Sequence, residues 1–273
     1  MIEFHEASKG WDGRRAVGPL SLSVAEGEFV ALLGASGCGK TTTLKMINGL
    51  VTPDAGEVRV AGEVVGAGPL WRLRRGIGYV FQEIGLFPHM TVAENIACGP
   101  RLAGWDKARI SGRVAELLDL VALPREVGAR LPSALSGGQR QRVGVARALG
   151  AAPSIMLMDE PFGALDPITR DTLGQVWRAL HERLGLTTVM VTHDVMEALL
   201  LADRIVVMDA GAVIADGPPS ALLADQNEAK VRALMETPRR QAARVEALAR
   251  QSAGHEGAAH AKGDAHAKGD AHG

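Results

Sequence analysis

The stretch Gly34-Ala35-Ser36-Gly37-Cys38-Gly39-Lys40-Thr41 constrains this chain more than any other. It reads Gly-x-x-x-x-Gly-Lys-Thr, and its surroundings give the pattern meaning. Phe29-Val30-Ala31-Leu32-Leu33 precede it, an unbroken apolar run suited to a strand covered on both faces. Thr42-Thr43-Leu44-Lys45-Met46-Ile47 follow as a helix ending at Asn48-Gly49, where glycine relieves left-handed strain. Strand, glycine loop and helix in that order make a phosphate site. The glycines let backbone N–H groups turn inward on a chain of phosphates, and the positive end of the helix points to the same place. Lys40 reaches the β- and γ-phosphates, and the Thr41 hydroxyl is placed to ligate Mg²⁺. Gly34 through Thr42 is therefore the expected nucleotide-binding segment. The motif alone says no more than that, because many unrelated NTPases share it.

Composition sets the outer limits. A chain of 273 residues with 47% hydrophobic and 22% charged residues has ample material for a globular core. Thirty Lys and Arg against 31 Asp and Glu leave no bulk field that would favour nucleic acid or anionic lipid. Two cysteines, Cys38 and Cys98, far apart in sequence, argue against a structural disulfide and fit a reducing cytoplasm. Met1-Ile2-Glu3-Phe4-His5-Glu6 lacks the basic start and apolar run of a signal peptide. No apolar stretch approaches the roughly 20 residues needed to span a bilayer; Ala198 to Ala202 is stopped by Asp203-Arg204.

Residues 1–30 alternate short apolar runs with glycine turns and read as an antiparallel β region. Trp11 lies there, either as a half-buried strand anchor or as a platform on which an adenine ring stacks. Glu57 to Val60 and Glu63 to Val65 form a hairpin about Ala61-Gly62. Gly78-Tyr79-Val80-Phe81 is a strand ending on Gln82, whose amide can touch Mg²⁺ or an attacking water. Ile84, Leu86, Phe87 and Met90 then crowd a segment that either folds under or docks on something. Thr91-Val92-Ala93-Glu94 is a capping box, and a second helix fits Asp106 to Leu120. Residues of about 88–150 look like a helical insertion into a strand-helix core.

Within it, Leu135-Ser136-Gly137-Gly138-Gln139 opens another helix, and Ser-Gly-Gly at a helix start is a second anion site. Ile155-Met156-Leu157-Met158 is a buried strand ending in Asp159-Glu160. Two acids at the edge of an apolar strand are expensive unless used: Asp159 suits the Mg²⁺ shell, and Glu160 is placed to polarise a water. Thr188 to Thr192 is another buried strand, ending at His193, a candidate γ-phosphate contact. Asp194 caps the next helix, with Glu197 in the reciprocal position. From Pro238 the composition shifts. Gln241 to Arg250 reads as a weak helix, and His260 to Ala265 recurs as His266 to Ala271, a repeat that argues for disorder. His255, His260, His266 and His272 offer at most loose metal binding.

With these motifs in this order the chain resembles the ATPase subunit of ATP-binding cassette transporters, over residues 1 to about 236. Gly34 to Thr41 matches the Walker A loop, Gln82 the Q-loop and Leu135 to Gln139 the signature. Ile155 to Asp159 with Glu160 matches Walker B and the catalytic glutamate, Ala164 to Asp166 the D-loop, and His193 the switch histidine. The resemblance implies an α/β fold with a RecA-like P-loop core, an antiparallel β subdomain and a helical subdomain. It also implies a head-to-tail homodimer on ATP and Mg²⁺, in which Ser136, Gly137, Gly138 and Gln139 face the γ-phosphate held by the other copy, with Asp166 near the same junction.

Tyr79 to Asn95, Ser36 to Asn48 and Gly163 to Arg170 are further similar to importers of glycine betaine, choline or carnitine. That subgroup implies permease subunits, a separate substrate-binding protein and a place on the cytoplasmic face of the membrane. Many of its members carry C-terminal regulatory domains of the cystathionine-β-synthase type, whereas residues 237–273 here are the repetitive extension, so sensing of ionic strength by this subunit is not expected. Recognition of a quaternary ammonium takes an aromatic cage. With 4% aromatic residues, scattered, this chain leaves substrate choice to its partners. The rival readings are an importer for an amino acid, phosphonate or oxyanion, and a cassette ATPase working on DNA or the ribosome.

Overall fold

The computed structural model describes residues 1–163, 165–224, 228–246 and 248. The chain divides into two units, Met1–Ala224 and Asp225–Gly273. In the second, residues 229–246 are helical, so the helix expected from Gln241 starts well upstream. The histidine repeat lies outside the described residues.

The first unit is built on a six-stranded sheet. Strands β3 (Phe29–Leu33), β6 (Ile77–Val80), β7 (Ile155–Asp159), β8 (Thr187–Thr192) and β9 (Arg204–Asp209) run parallel in the order β9-β3-β8-β7-β6, and β10 (Ala212–Gly217) adds an antiparallel edge beside β9. Every residue of β3, β7 and β8 is buried. That is the environment their unbroken apolar runs require. The buried threonines are paired: the Thr188 hydroxyl lies 2.9 Å from His181 Nδ1, and the Thr192 hydroxyl donates to Glu197 at 2.6 Å.

A second, antiparallel sheet has the order β2-β1-β4-β5, from β1 (Ile2–Trp11), β2 (Arg14–Val24), β4 (Ala55–Val60) and β5 (Glu63–Val64). Its start alternates Ile2 and Phe4 inward with Glu3 and His5 outward. The inward residues share one apolar cluster with Leu32, Val206 and, from helix α1 (Lys40–Ile47), Leu44 and Ile47. The expected β4–β5 hairpin forms, with Ala61 at φ 52° and Gly62 at φ 83° in its turn.

Helix α2 (Leu70–Arg75) precedes β6. Helices α3 (Val92–Leu102), α4 (Lys107–Leu120) and α5 (Gly137–Leu149) intervene in sequence between β6 and β7, which pair directly. These three pack on one another. The Thr91–Glu94 capping box opens α3, and the Asp106 carboxylate caps α4 by accepting from the Arg109 N–H. Helices α6 (Pro167–Leu184), α7 (Val195–Leu201) and α8 (Pro219–Ala224) complete the unit.

The apolar segment after Gln82 is held from beneath. Asn95, fully buried on α3, accepts from the Phe87 N–H at 2.8 Å and donates to the carbonyls of Phe87, Met90 and Thr91 at 3.0–3.1 Å. Arg147 on α5 donates to the carbonyls of Ile84 and Gly85. One amide thus satisfies four backbone groups. Asn95→Ala takes away all four bonds, though the Phe87 and Thr91 carbonyls keep the Met90 and Asn95 backbone N–H groups as donors, and the expected loss of stability is about 1–3 kcal/mol. Urea unfolding checks this as a lower midpoint at unchanged slope.

Candidate active site

The phosphate loop leaves the end of β3 and enters α1 between two walls. Gly39 caps the helix at φ 102°, and a Cβ built there collides with the Ala16 carbonyl of β2. A Cβ on Gly34 collides with the Met208 carbonyl of β9. The two glycines are therefore demanded by close backbone approach from both sheets as well as by conformation. The helix starts two residues earlier than its sequence suggests, which puts Lys40 and Thr41 in its first turn. The Lys40 ammonium, only 5% exposed, folds over the loop and donates to the Gly34 carbonyl at 2.7 Å and the Ala35 carbonyl at 2.9 Å. Cys38 is buried beneath it, whereas Ala35, Ser36 and Gly37 face solvent and Thr42 is half-buried.

Asp159 is reached from two directions. The Thr41 hydroxyl donates to its Oδ1 at 2.8 Å, and the Tyr79 hydroxyl donates to its Oδ2 at 3.4 Å. Burial, and then the negative charge of Asp159, push the Tyr79 phenol pKa above its usual value, so it stays protonated as a donor. A hydroxyl and a carboxylate this close are hard oxygen donors that fit a small divalent cation completing its shell elsewhere. Among the described residues no group of three or more His, Cys, Asp or Glu forms an all-protein cage.

One residue further, Glu160 adopts φ 45°, and its N–H donates to the Val191 carbonyl at 2.9 Å, which turns the side chain out of the sheet. The Gln82 amide donates to Glu160 Oε2 at 3.1 Å, and His193 Nδ1 lies 3.3 Å from the same oxygen. The three residues follow β6, β7 and β8, neighbours in the sheet, so parallel register brings their C-terminal ends together. A carboxylate between an amide and an imidazole is equipped to take a proton from water.

The other predicted residues have different surroundings. Ser136 caps α5: its hydroxyl accepts from the Gln139 N–H at 3.2 Å, while the Gln139 side chain accepts from the Ser136 N–H at 3.0 Å. Asp166 caps α6 by accepting from the Thr169 N–H at 3.0 Å, and hydrogen bonds from Thr169 hold its carboxyl below the usual carboxylate range. The two helix starts meet, since a Cβ on Gly138 would lie 2.8 Å from the Thr169 methyl. Ser136 to Gln139, Leu165 and Asp166 line one cavity, to which the phosphate loop contributes no residue. Trp11 stands at the end of β1, 51% exposed, with the Lys9 ammonium 4.7 Å from its ring centre.

The reciprocal contact expected of Glu197 does not form. Asp194 alone caps α7, accepting from the N–H groups of Met196 and Glu197. The Glu197 carboxylate turns instead to Thr192 and lies 3.6 Å from Arg170 Nε. Burial, reinforced by Asp194, pushes its carboxyl up from the usual range. Sequence reasoning passed over Tyr79, Arg170 and Asn95. Tyr79 sits in a strand that was read, but a single tyrosine carries no spacing signal.

Residues 17–163 match the family model described as ABC transporter. The chain belongs to the ABC transporter family. It is 53% identical over 82% of its length to the glycine betaine uptake system ATP-binding protein YehX of Escherichia coli, covering 72% of that protein. It is 49% identical, again over 82% of its length, to the glycine betaine/carnitine/choline transport ATP-binding protein OpuCA of Bacillus subtilis. Of that longer relative it spans 59%. Among solved structures, the dimeric post-hydrolysis state of the ATP-binding cassette MJ0796 bound to ADP and Pi superposes with a TM-score of 0.73 at 33% identity, covering 80% of this chain and 99% of that one. The fold is accordingly the α/β P-loop fold of this family, and the chain is an ATPase that binds ATP.

The squeeze on the loop is directly testable in this ABC ATPase. Gly39→Ala forces an L-residue to φ 102° against the Ala16 carbonyl. Left-handed strain alone costs about 1–2 kcal/mol, and relief requires the loop to move. The expected result in a calorimetric titration is at least a roughly tenfold weaker ATP affinity, since 1.4 kcal/mol is a factor of ten.

Proposed function

We propose that this chain is the ATP-hydrolysing subunit of an importer for a quaternary amine such as glycine betaine, choline or carnitine. The observation that carries the chemistry is the convergence of Gln82 and His193 on one oxygen of Glu160, beside the Thr41–Asp159 pair. Lys40 and the backbone amides from Gly34 to Thr42 hold the phosphates of ATP. Trp11 offers its face to the adenine. Thr41 and Asp159, with Gln82, would hold Mg²⁺, which would supply charge neutralisation on the β- and γ-phosphates. Glu160 accepts a proton from the water that attacks the γ-phosphorus. His193 contacts the γ-phosphate and steadies the carboxylate. Two copies close head to tail, with Ser136, Gly137, Gly138 and Gln139 of one meeting the γ-phosphate on the other and Asp166 at the junction. Residues 1–236 form the cassette, with 88–150 its helical part.

The permease subunits dock where apolar side chains stay exposed. Phe87 is 44% and Trp71 55% exposed, and a cleft lined by Trp71, Tyr79, Leu102 and Arg147 lies between α2, β6, α3 and α5. Among the described residues no helix is long and apolar enough to cross a membrane. Bound to its permease, the subunit works from the cytoplasmic face. A separate binding protein selects the solute, and nucleic acid has no part. Support for the substrate class is the identity of 49–53% to proteins named for glycine betaine, carnitine and choline.

Glu160→Gln keeps the shape and loses the base. It is expected to bind ATP normally while hydrolysis falls roughly 10²–10⁴-fold, with an ATP-bound dimer accumulating in size-exclusion chromatography. Near-normal turnover removes Glu160 from the role. For the substrate, deletion of this subunit in a strain lacking other carriers should abolish salt-stimulated uptake of labelled betaine, choline or carnitine. Undiminished uptake of all three rejects the quaternary-amine assignment and leaves the ATPase intact.

A further inference from the structure

His193 is a residue with little to hold it. Its side chain is 59% exposed, and its contact with Glu160 at 3.3 Å depends on where the backbone between β8 and α7 places it. That backbone is fastened on both sides of the histidine. Before it, the Thr192 hydroxyl accepts from the Asp194 N–H at 3.0 Å and donates to Glu197 at 2.6 Å. After it, Asp194 caps α7.

Both fastenings end on a single guanidinium. Arg170 Nη1 donates to Asp194 Oδ2 at 2.9 Å, and Arg170 Nε lies 3.6 Å from Glu197 Oε1, its own hydrogen otherwise without a partner. The third branch, Nη2, donates to the Leu165 carbonyl at 3.2 Å. The Arg170 N–H bonds the Asp166 carbonyl at 2.9 Å in the first turn of α6. One branch therefore holds Asp194, directly after His193, and another holds the loop after Glu160, while the third faces Glu197, the carboxylate to which Thr192 donates. A planar fork with its donors at fixed angles transmits position in a way a flexible ammonium does not.

We propose that Arg170 is a positioning residue: by holding Asp194 and the Leu165 carbonyl at once, it sets the distance of His193 from Glu160. This rests on the hydrolytic roles proposed above for Glu160 and His193. A misplacement of about 1 Å at a reacting centre can cost on the order of 10²-fold in rate, so a modest slackening of this linkage suffices.

The test is a mutant cycle on the full chain, read as steady-state and single-turnover ATP hydrolysis. Arg170→Ala is expected to lower kcat roughly 10–100-fold, with KM for ATP little changed. Arg170→Lys keeps the charge but offers a point donor in place of the fork, and is expected to recover only a small part of the rate. In a His193→Ala background, Arg170→Ala should cost nothing further, because two residues acting through one contact are not additive. Removing Arg170 leaves Glu197 as a buried charge, so Arg170→Ala/Glu197→Gln supplies a variant that folds if the single one does not, and the same loss of kcat is expected of it. A kcat within twofold of the parent in Arg170→Ala, or losses that multiply in the double mutant with His193→Ala, overturns the proposal and leaves the ATPase reading standing. Full turnover in His193→Ala itself overturns both the role given to His193 and this inference.

Discussion

Burial of a parallel sheet on both faces is the constraint from which the rest of this molecule follows. Strands β3, β7 and β8 have no solvent-facing side, so every polar group they carry must be paired internally or pushed to the strand ends. Parallel pairing puts all the C-terminal ends at one edge. The phosphate loop, Asp159, Glu160 and His193 are what the chain places there, and Gln82 joins them from β6. Chemistry collects at that edge because the core has no place for it.

The antiparallel sheet has a second role beyond covering apolar surface. Its β2 strand brings the Ala16 carbonyl against Gly39, while β9 brings the Met208 carbonyl against Gly34. The phosphate loop is thus held in shape from outside, by backbone atoms of two different sheets. Its amides need no rearrangement to meet an anion, and such preorganisation lowers the cost of binding. Lys40, donating to two carbonyls of the same loop, is prepared in the same way.

Ordered polar nodes then join elements that hydrophobic packing alone would leave free to slide. Asn95 ties the segment after Gln82 to α3, Asp159 joins β7 to the start of α1 and to Tyr79, and Arg170 joins α6 to the segment around His193. Each node is buried or half-buried, and each satisfies groups that would be costly if orphaned. In a site assembled from four strand ends, such links set distances that packing sets only loosely.

How much of this was legible beforehand follows from the range of the interactions. The phosphate loop, the capping box at Thr91, the helix start at Ser136 and the apolar strands ending in Asp159-Glu160 and His193 are local patterns, and local patterns are written in spacing. The reciprocal cap expected at Glu197 failed for the converse reason: Thr192 and Arg170 compete for its carboxylate, and α6 brings Arg170 there only after folding. Strands β9 and β10 passed unread because no motif marks them, although β9 walls the phosphate loop. The sequence by itself determined which residues carry phosphate and proton chemistry and in which strands they end. Tertiary structure alone decided that Gln82 and His193 share one oxygen of Glu160, that two carbonyls clamp the glycine loop, and that Arg170 spans two loops. Those are contacts between strand ends and helices distant in the chain, set by sheet order and register, and neither is encoded in any short stretch of residues.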